Sequence, residues 1–159
     1  MIMIRNFRTR DFEGLVDCYR RGFPEGHNRY SLSRLCRFQR DSILIAEQRD
    51  LVVGVVIGIT NIREAWMTGM SVLPESRYRY GTVSMRLLVA LGDRFLQMGF
   101  QEAFGTTNRG AMIGVAKACG AQLVSEEPDY YWDGREKLIF KAVPKALARL
   151  KALIPPFGL

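Results

Sequence analysis

The sequence predicts a mixed α/β fold built on a largely antiparallel sheet of about seven strands. Strand-like segments follow one another closely in the middle of the chain, and strands and helices alternate after residue 74. The composition is that of one globular domain, with 48% hydrophobic and 25% charged residues among 159. A chain of this length buries enough surface to hold a core without metal or disulfide staples.

The N-terminal part of the chain predicts one strand and two helices. Residues 2–7 alternate loosely between apolar and polar side chains, which favours a strand. Thr9 is a candidate N-cap for a first helix over residues 10–22, where apolar residues recur at helical spacing. After a short loop, Ser31 or Ser33 is the candidate cap of a short basic helix.

Three strand segments with short links between them come next. They are Ile43–Glu47, Leu51–Thr60 and Trp66–Leu73. The short links predict antiparallel hairpins, the first with its turn at Arg49-Asp50. Gly54 and Gly58 lie inside the second of these strands and indicate a bulge or a close backbone contact.

The remainder of the chain alternates helices and strands. A helix over residues 82–98 is the clearest element, since its apolar residues keep helical spacing up to a stop at Gly99. The later predicted elements are strand Glu102–Thr106, helix Gly110–Ala118, strand Gln122–Ser125 and strand Lys137–Ala142. Residues 1–142 would form one domain, and residues 143–159 a C-terminal amphipathic helix and tail.

The charge is unevenly distributed along the chain. The net charge is +7, and the first 40 residues contain nine arginines against four acidic residues. This stretch could face nucleic acid, an acidic substrate or an anionic cofactor, or it could be the solvated surface of two helices. Because it lacks aromatic RNA-binding motifs, nucleic acid is not the expected partner.

No segment predicts a membrane span or a signal peptide. The longest strongly apolar run, Leu51–Ile59, has 9 residues, whereas a spanning helix needs about 20. The N-terminus becomes charged at Arg5, with no small-residue cleavage site. We therefore expect a cytoplasmic protein without membrane association. Three cysteines without CxxC spacing and a single histidine predict reduced structural thiols and no metal site.

The most informative segment joins the third central strand to the long helix. Pro74 ends the strand, and a loop rich in Arg and Tyr leads into the helix. Backbone N–H groups and the helix dipole at such a turn favour phosphate. Gly81 would let a ligand oxygen approach the backbone, and Arg77 and Arg79 would pair with phosphate as planar forks. By itself, the turn is either an anion site or ordinary basic surface.

This segment resembles the acetyl-CoA-binding motif of the GNAT superfamily of N-acetyltransferases. In that family a strand ending in V-x-P leads into an Arg/Gln-x-x-Gly-x-Gly/Ala loop and a helix opening toward Leu-Leu. Val72-Leu73-Pro74 and Leu87-Leu88 match those ends. Ile4-Arg5 with Thr9-Arg10-Asp11-Phe12 resembles the family's opening strand and helix, and Asn108 with Val115–Gly120 resembles the helix after its fifth strand. The resemblance covers about residues 2–142.

The resemblance implies a GNAT-like sheet with helices on both faces and a splayed, V-shaped strand pair that holds the cofactor. Acetyl-CoA would be the co-substrate, and its acetyl group would pass to a primary amine of a small molecule or peptide by direct attack on the thioester. The residues expected to bind the cofactor are Met70, Ser71, Val72, Arg77, Arg79, Tyr80, Gly81, Thr82, Val83, Ser84 and Asn108.

The loop departs from the family pattern, and two registers compete for it. The motif starts either at Arg77 or at Arg79, and in both registers Tyr80, Thr82 or Ser84 replaces a usual glycine. Such a residue could crowd the pyrophosphate or add a hydroxyl contact.

The sequence indicates the general acid and base less clearly than it indicates the cofactor-binding residues of the loop. The Tyr that the family often carries after its fifth strand is absent from Val115-Ala116-Lys117. Tyr130 and Tyr131 are therefore candidate general acids, with aromatic packing or a substrate wall as the alternative. Glu64, together with Glu47, is a candidate base or an ordinary solvated charge.

Two further functions stay open at this point, and so does the role of the C-terminal helix. A non-catalytic acyl-CoA-binding or sensing module would have the same fold, and the irregular loop and missing Tyr would suit it. An RNA-directed acetyltransferase is a weaker alternative that rests on the basic N-terminal stretch. The C-terminal helix could pack on the domain, pair across a homodimer or touch a membrane surface.

Overall fold

A computed structural model describes residues 1–24, 26–79, 81–107, 110–127 and 137–154. The strands are β1 (Met3–Asn6), β2 (Ile43–Gln48), β3 (Leu51–Thr60), β4 (Ala65–Val72), β5 (Ala103–Thr107), β6 (Gln122–Glu127) and β7 (Lys137–Ala142). The helices are α1 (Phe12–Gly22), α2 (Arg29–Phe38), α3 (Gly81–Gln97), α4 (Gly110–Ala118) and α5 (Pro144–Leu153). Three short 3₁₀ turns cover Thr9–Asp11, Arg40–Ser42 and Pro74–Arg79.

The seven strands form one sheet in the order β1-β2-β3-β4-β5-β7-β6. Pairing is antiparallel everywhere except between β4 and β5, which run parallel. A parallel neighbour requires a crossover, and α3 provides it. The predicted mixed, largely antiparallel sheet is therefore confirmed.

Helices cover both faces of the sheet. On one face α1 and α2 bury a core with strands β2 and β3, in which Leu15, Leu32 and Ile57 are fully buried. On the other face α3 packs through Leu87 and neighbouring apolar residues against the opposite side of the same strands. A smaller third cluster, with Ala146, joins α5 to α3. None of the described helices has the length and apolar character that crossing a membrane requires.

Element positions follow the sequence closely, but two helix caps differ from the prediction. Thr9 opens a 3₁₀ turn instead of capping α1, and the Asp11 carboxylate accepts the Arg8 backbone N–H at 2.6 Å. At α2, neither Ser31 nor Ser33 is the cap, because the Asn28 side chain accepts the Ser31 backbone N–H at 2.9 Å. At α2 the Asn28 oxygen thus satisfies a free backbone donor of the helix, whereas the Asp11 carboxylate bonds the backbone that precedes the 3₁₀ turn.

The predicted β-hairpin turn and the glycine contacts in β3 are confirmed. Arg49 and Asp50 both have positive φ, at 51° and 62°, as a two-residue type I′ turn requires. Gly58 lies against α3, where an added Cβ would come within 2.7 Å of the Phe95 ring. The β3–β4 register also shifts at this glycine.

Candidate active site

Strands β4 and β5 separate soon after they meet. Their described pairing consists of Trp66 opposite Phe104 and Met67 opposite Gly105. On its other edge, β4 pairs with β3 along its whole length, from Ala65 to Val72. Between the second half of β4 and β5 the sheet therefore opens into a V, which we call the split.

A β-bulge in β4 marks the point where the split begins. Ile57 pairs with Gly69 and the next residue of β3, Gly58, pairs with Met67, so Thr68 is the extra residue of β4. The Thr68 hydroxyl lies 3.3 Å from the carbonyl of Ile57, which holds the bulge against β3. Because a bulge bends its strand and increases the local twist, it turns the second half of β4 away from β5.

The backbone of β4 beyond the bulge is oriented toward the split. The Leu73 N–H donates to the Val53 carbonyl at 2.9 Å, so Leu73 points its backbone groups at β3. Backbone groups of successive residues in an antiparallel ladder point to alternate sides. Those of Met70 and Val72 consequently point away from β3, to the side on which β5 lies.

The side chains of this β4 segment pack in the two cores, one below α1 and the other below α3. Val72 is buried in the α3 cluster and Met70 packs beside it. Ser71 points to the opposite face, where its hydroxyl donates to the Cys18 carbonyl of α1 at 2.8 Å. The side chains of Met70, Ser71 and Val72, which the resemblance predicts to bind the cofactor through their backbone, thus pack in the two cores of the molecule.

Helix α3 starts just beyond the C-terminal end of β4. The 3₁₀ turn Pro74–Arg79 connects the two elements, and α3 begins at Gly81. Val83 is 2% exposed and packs in the α3 core, so only its backbone could contact a ligand, whereas Ser84 is half-buried. The first turn of α3 therefore lies at the same end of β4 as the split.

Several predicted site residues lie outside what the structure describes. Tyr80, Asn108, Tyr130 and Tyr131 fall in the segments that it leaves out. For Arg77, Arg79, Gly81 and Thr82 the backbone is described but the side-chain surroundings are not. Their roles remain predictions.

The two predicted carboxylate bases lie away from the split. Glu64 is exposed just before β4, and its carboxylate accepts the indole N–H of Trp66 at 3.0 Å. From Glu64 to Met70 the strand extends roughly 20 Å. Glu47 accepts the Arg5 Nε–H at 2.9 Å and belongs to an ion-pair cluster between β1 and β2. The structure therefore brings neither carboxylate to the β4 edge.

An aromatic cluster that the sequence analysis did not single out covers the bulge from the α1 side. Tyr19 is 2% exposed, and its ring would lie 2.7 Å from a Cβ placed on Gly69. Phe23 stacks on one side of it at 5.6 Å between ring centroids, and His27 lies 5.9 Å away. Burial lowers the pKa of His27, which favours its neutral form. In the sequence, this contact was indicated by the Thr68-Gly69 pair, because a glycine inside a strand marks a bulge or a close approach of another group.

The cysteines behave as packing residues. All three are free and buried. Burial raises the pKa of the Cys18 thiol to about 12 and that of Cys36 to about 11, and it also raises the pKa of Cys119. These thiols are therefore neutral near pH 7 and poorly suited to nucleophilic chemistry. Within the described ranges, no group of three His, Cys, Asp or Glu residues could hold a metal ion.

The sequence matches no protein-family model and no curated protein, but the structure has similar solved structures. The ribosomal-protein-S18-alanine N-acetyltransferase from Escherichia coli has a TM-score of 0.76 at 17% identity, over 99% of this chain and 97% of that one. Diaminobutyrate acetyltransferase EctA from Paenibacillus lautus, solved with L-2,4-diaminobutyric acid and coenzyme A, has 0.71 at 16%, over 91% and 96%. A GNAT family acetyltransferase from Elizabethkingia anophelis, with acetyl-CoA bound, has 0.70 at 9%, over 89% and 97%.

Proposed function

Because this chain has the fold of the GNAT acetyltransferases, we propose that it is an N-acetyltransferase that uses acetyl-CoA and acetylates a primary amine of a small molecule or peptide. The observation that carries the proposal is the split, with its bulge at Thr68 and α3 starting at the same end of β4. A sheet that closed normally along β4 would offer no backbone edge to an extended ligand.

The described residues fit an extended amide-containing chain such as the pantetheine arm of acetyl-CoA. The backbone groups of Met70, which point away from β3, would pair with its amides, in the manner of an added strand. The phosphates would lie at the start of α3, where the backbone N–H groups, Gly81 and the guanidinium groups of Arg77 and Arg79 would bind them. Acetyl-CoA supplies an activated thioester, so the protein has mainly to bind and orient its two substrates.

The transfer itself requires three proton movements. An ammonium acceptor must lose one proton before its nitrogen bonds to the carbonyl carbon and a second one to give the neutral amide, and the thiolate that departs when the carbon–sulfur bond breaks takes up a proton. Tyr130 and Tyr131 are the proposed proton donors to sulfur. Because Glu64 lies far from the split, its carboxylate could accept the amine proton only from an acceptor that extends along β4.

The identity of the amine stays open between two kinds of acceptor. Among the similar structures, the one from Escherichia coli is named for an alanine of a ribosomal protein, and the one from Paenibacillus lautus was solved with a free diamino acid. The same fold thus serves protein and small-molecule substrates. Acceptor contacts come from loops and helices around a shared scaffold, so fold alone does not choose between them.

Calorimetry with acetyl-CoA tests the binding half of the proposal. We expect saturable binding to the wild type and at least tenfold weaker binding to the Arg77→Ala/Arg79→Ala double variant, since each arginine would contribute a charge-assisted hydrogen bond to phosphate. The Arg34→Ala/Arg37→Ala variant, which removes two exposed arginines from α2, is the matched control and should bind normally.

Thiol release with a panel of amines and N-terminal peptides tests the catalytic half. Release of coenzyme A that depends on one class of amine would support the enzyme and identify the acceptor. Binding of acetyl-CoA without release on any amine would overturn the enzyme in favour of an acyl-CoA-binding module. Absence of binding by the wild type would overturn both.

A further inference from the structure

A cavity of about 170 Å³ lies in the C-terminal part of the molecule and borders the β5 side of the split at Thr106 and Thr107. Its walls are the C-terminal half of α3, strands β5 and β7, the end of α4, and α5. The lining reaches solvent at the exposed residues Gln101, Glu102, Val143 and Pro144, where β5 starts and α5 follows β7. Along α3, this region is roughly 20 Å from the first turn at Gly81.

Small side chains on every wall create this space. The glycines and alanines that face it include Gly92 of α3, Ala103 and Gly105 of β5, Ala116 of α4, Ala142 of β7 and Ala146 of α5. Leu147 of α5 enters above Gly92, where an added Cβ would come within 2.8 Å of its methyl group. The larger side chains of α5 therefore hold the helix on α3 without filling the space beneath it.

The lining is chemically uniform. Leucine, phenylalanine, alanine and glycine dominate it, and the one charged side chain among the lining residues that the structure describes, Glu102, lies at the exposed rim, where its carboxylate pairs with Lys141 at 3.4 Å. A charged or strongly polar molecule would lose its hydrogen bonds to water there without gaining replacements. Water itself is disfavoured, because it requires two or more polar partners.

We propose that this cavity binds a small uncharged apolar molecule, about the size of a single aromatic ring. An apolar protein cavity of about 150 Å³ is already large enough to stay dry and bind benzene, and this one is larger. An empty apolar cavity destabilises a protein in proportion to its volume, so an occupant that restores contacts stabilises the fold. The ligand would lie against Ala146 and Leu150 and secure α5 to α3.

This site is independent of acetyl transfer. Its walls exclude Met70, Val72 and the start of α3, which form the proposed cofactor site. The protein could bind benzene here without any acetyltransferase activity, and the converse also holds. Failure of one proposal therefore leaves the other intact.

Thermal unfolding of the full-length protein with benzene as the probe tests the proposal. A ligand that binds only the folded state raises the melting temperature with its concentration, so we expect a saturable rise of a few degrees for the wild type. The Ala146→Leu variant would fill the cavity and lose this rise. Ala148→Leu makes the same change two residues away on the exposed face of α5 and should keep it.

A second variant and a direct measurement complete the test. Ala142→Leu fills the cavity from β7 and should also lose the response, even if Ala146→Leu does not fold. NMR with labelled leucine methyl groups should show benzene-dependent shifts at Leu147 and Leu150. No saturable rise in the wild type, or a rise of equal size in the filled variants, would overturn the proposal.

Discussion

The two parts of the sheet on either side of the split are packed very differently. In the N-terminal part, residues 1–99, side chains such as Leu15, Ile57 and Leu87 are 0% exposed. In the C-terminal part, described over residues 100–107, 110–127 and 137–154, the buried side chains retain 4 to 7% exposure. Residues of β5 are half-buried along its whole length, and the cavity lies beside them.

This difference shows which of the two strands at the split, β4 or β5, is held more rigidly by its packing. Strand β4 belongs to the densely packed part, with α1 behind Ser71 and α3 on Val72. Close packing resists small displacements, so the β4 edge is fixed before any ligand arrives. Strand β5 belongs to the loosely packed part and can yield more readily as the split is filled.

The largest expected loss of stability is in the first of two leucine truncations. We expect Leu87→Ala to lower the free energy of unfolding by about 4 kcal/mol, because it empties a fully buried position between α3 and the sheet. Leu150→Ala should cost about 2 kcal/mol, since this side chain already borders free space and loses fewer contacts. Urea denaturation of both variants measures the two losses. Equal losses would contradict the proposed difference in packing.

A second contrast compares a buried charge cluster with an exposed ion pair. Asp11 is 6% exposed and accepts hydrogen bonds from the Arg5 guanidinium at 2.7 and 2.8 Å. Replacing it in Asp11→Asn should cost about 2 kcal/mol. In the C-terminal part, Glu102→Gln removes the half-exposed partner of Lys141 and should cost at most about 0.5 kcal/mol. Denaturation at pH 7 measures both.

The same cluster predicts a pH dependence with a definite sign. Burial of Asp11 opposes its ionisation, but hydrogen bonds from Arg5 and the Arg8 backbone outweigh burial and keep the pKa of Asp11 below its ordinary value of 3.8. Its ionised form therefore stabilises the fold above that value, and this contribution disappears as the pH falls through the lower folded pKa. Asp11→Asn should flatten the loss of stability between pH 5 and pH 3, which denaturation over this pH range measures.

The last contrast concerns two glycines, whose substitutions are expected to have opposite signs. Gly69→Ala should cost about 2 kcal/mol, because its Cβ would overlap a Tyr19 ring that Phe23 and His27 already flank. Gly114 of α4 has open space around it, so Gly114→Ala should gain about 0.5 to 1 kcal/mol from helix propensity. Melting temperatures of the two variants measure both the expected loss of stability in Gly69→Ala and the expected gain in Gly114→Ala. A stabilising Gly69→Ala would show that Tyr19 can move away from β4.

Much of the fold was predictable because local patterns agree with the tertiary structure. Strand β3 and helix α4 have the predicted bounds, and α3 differs by one residue at each end. The caps of α1 and α2 were wrong, since nearby candidates with similar side chains differ only in three-dimensional placement. The predicted cytoplasmic location and the homodimer stay predictions.

The candidate site was predictable in part. The β4-to-α3 segment and its resemblance identified the correct strand end, because a proline break followed by an Arg/Gly turn is a local signal. The bulge at Thr68 and the Tyr19 cluster were missed, since they depend on which residues of β3 and α1 face β4. Glu64 looked plausible along the chain, but the strand carries it away from the split.

The sequence by itself determined the order of strands and helices and the hairpin at Arg49-Asp50. Periodicity and turn chemistry act over a few residues, so they can be read from neighbours in the chain. Only the tertiary structure decided where β4 leaves β5 and where α5 leaves space above the sheet. Both depend on the register between strands and on the volumes of side chains that lie far apart in sequence.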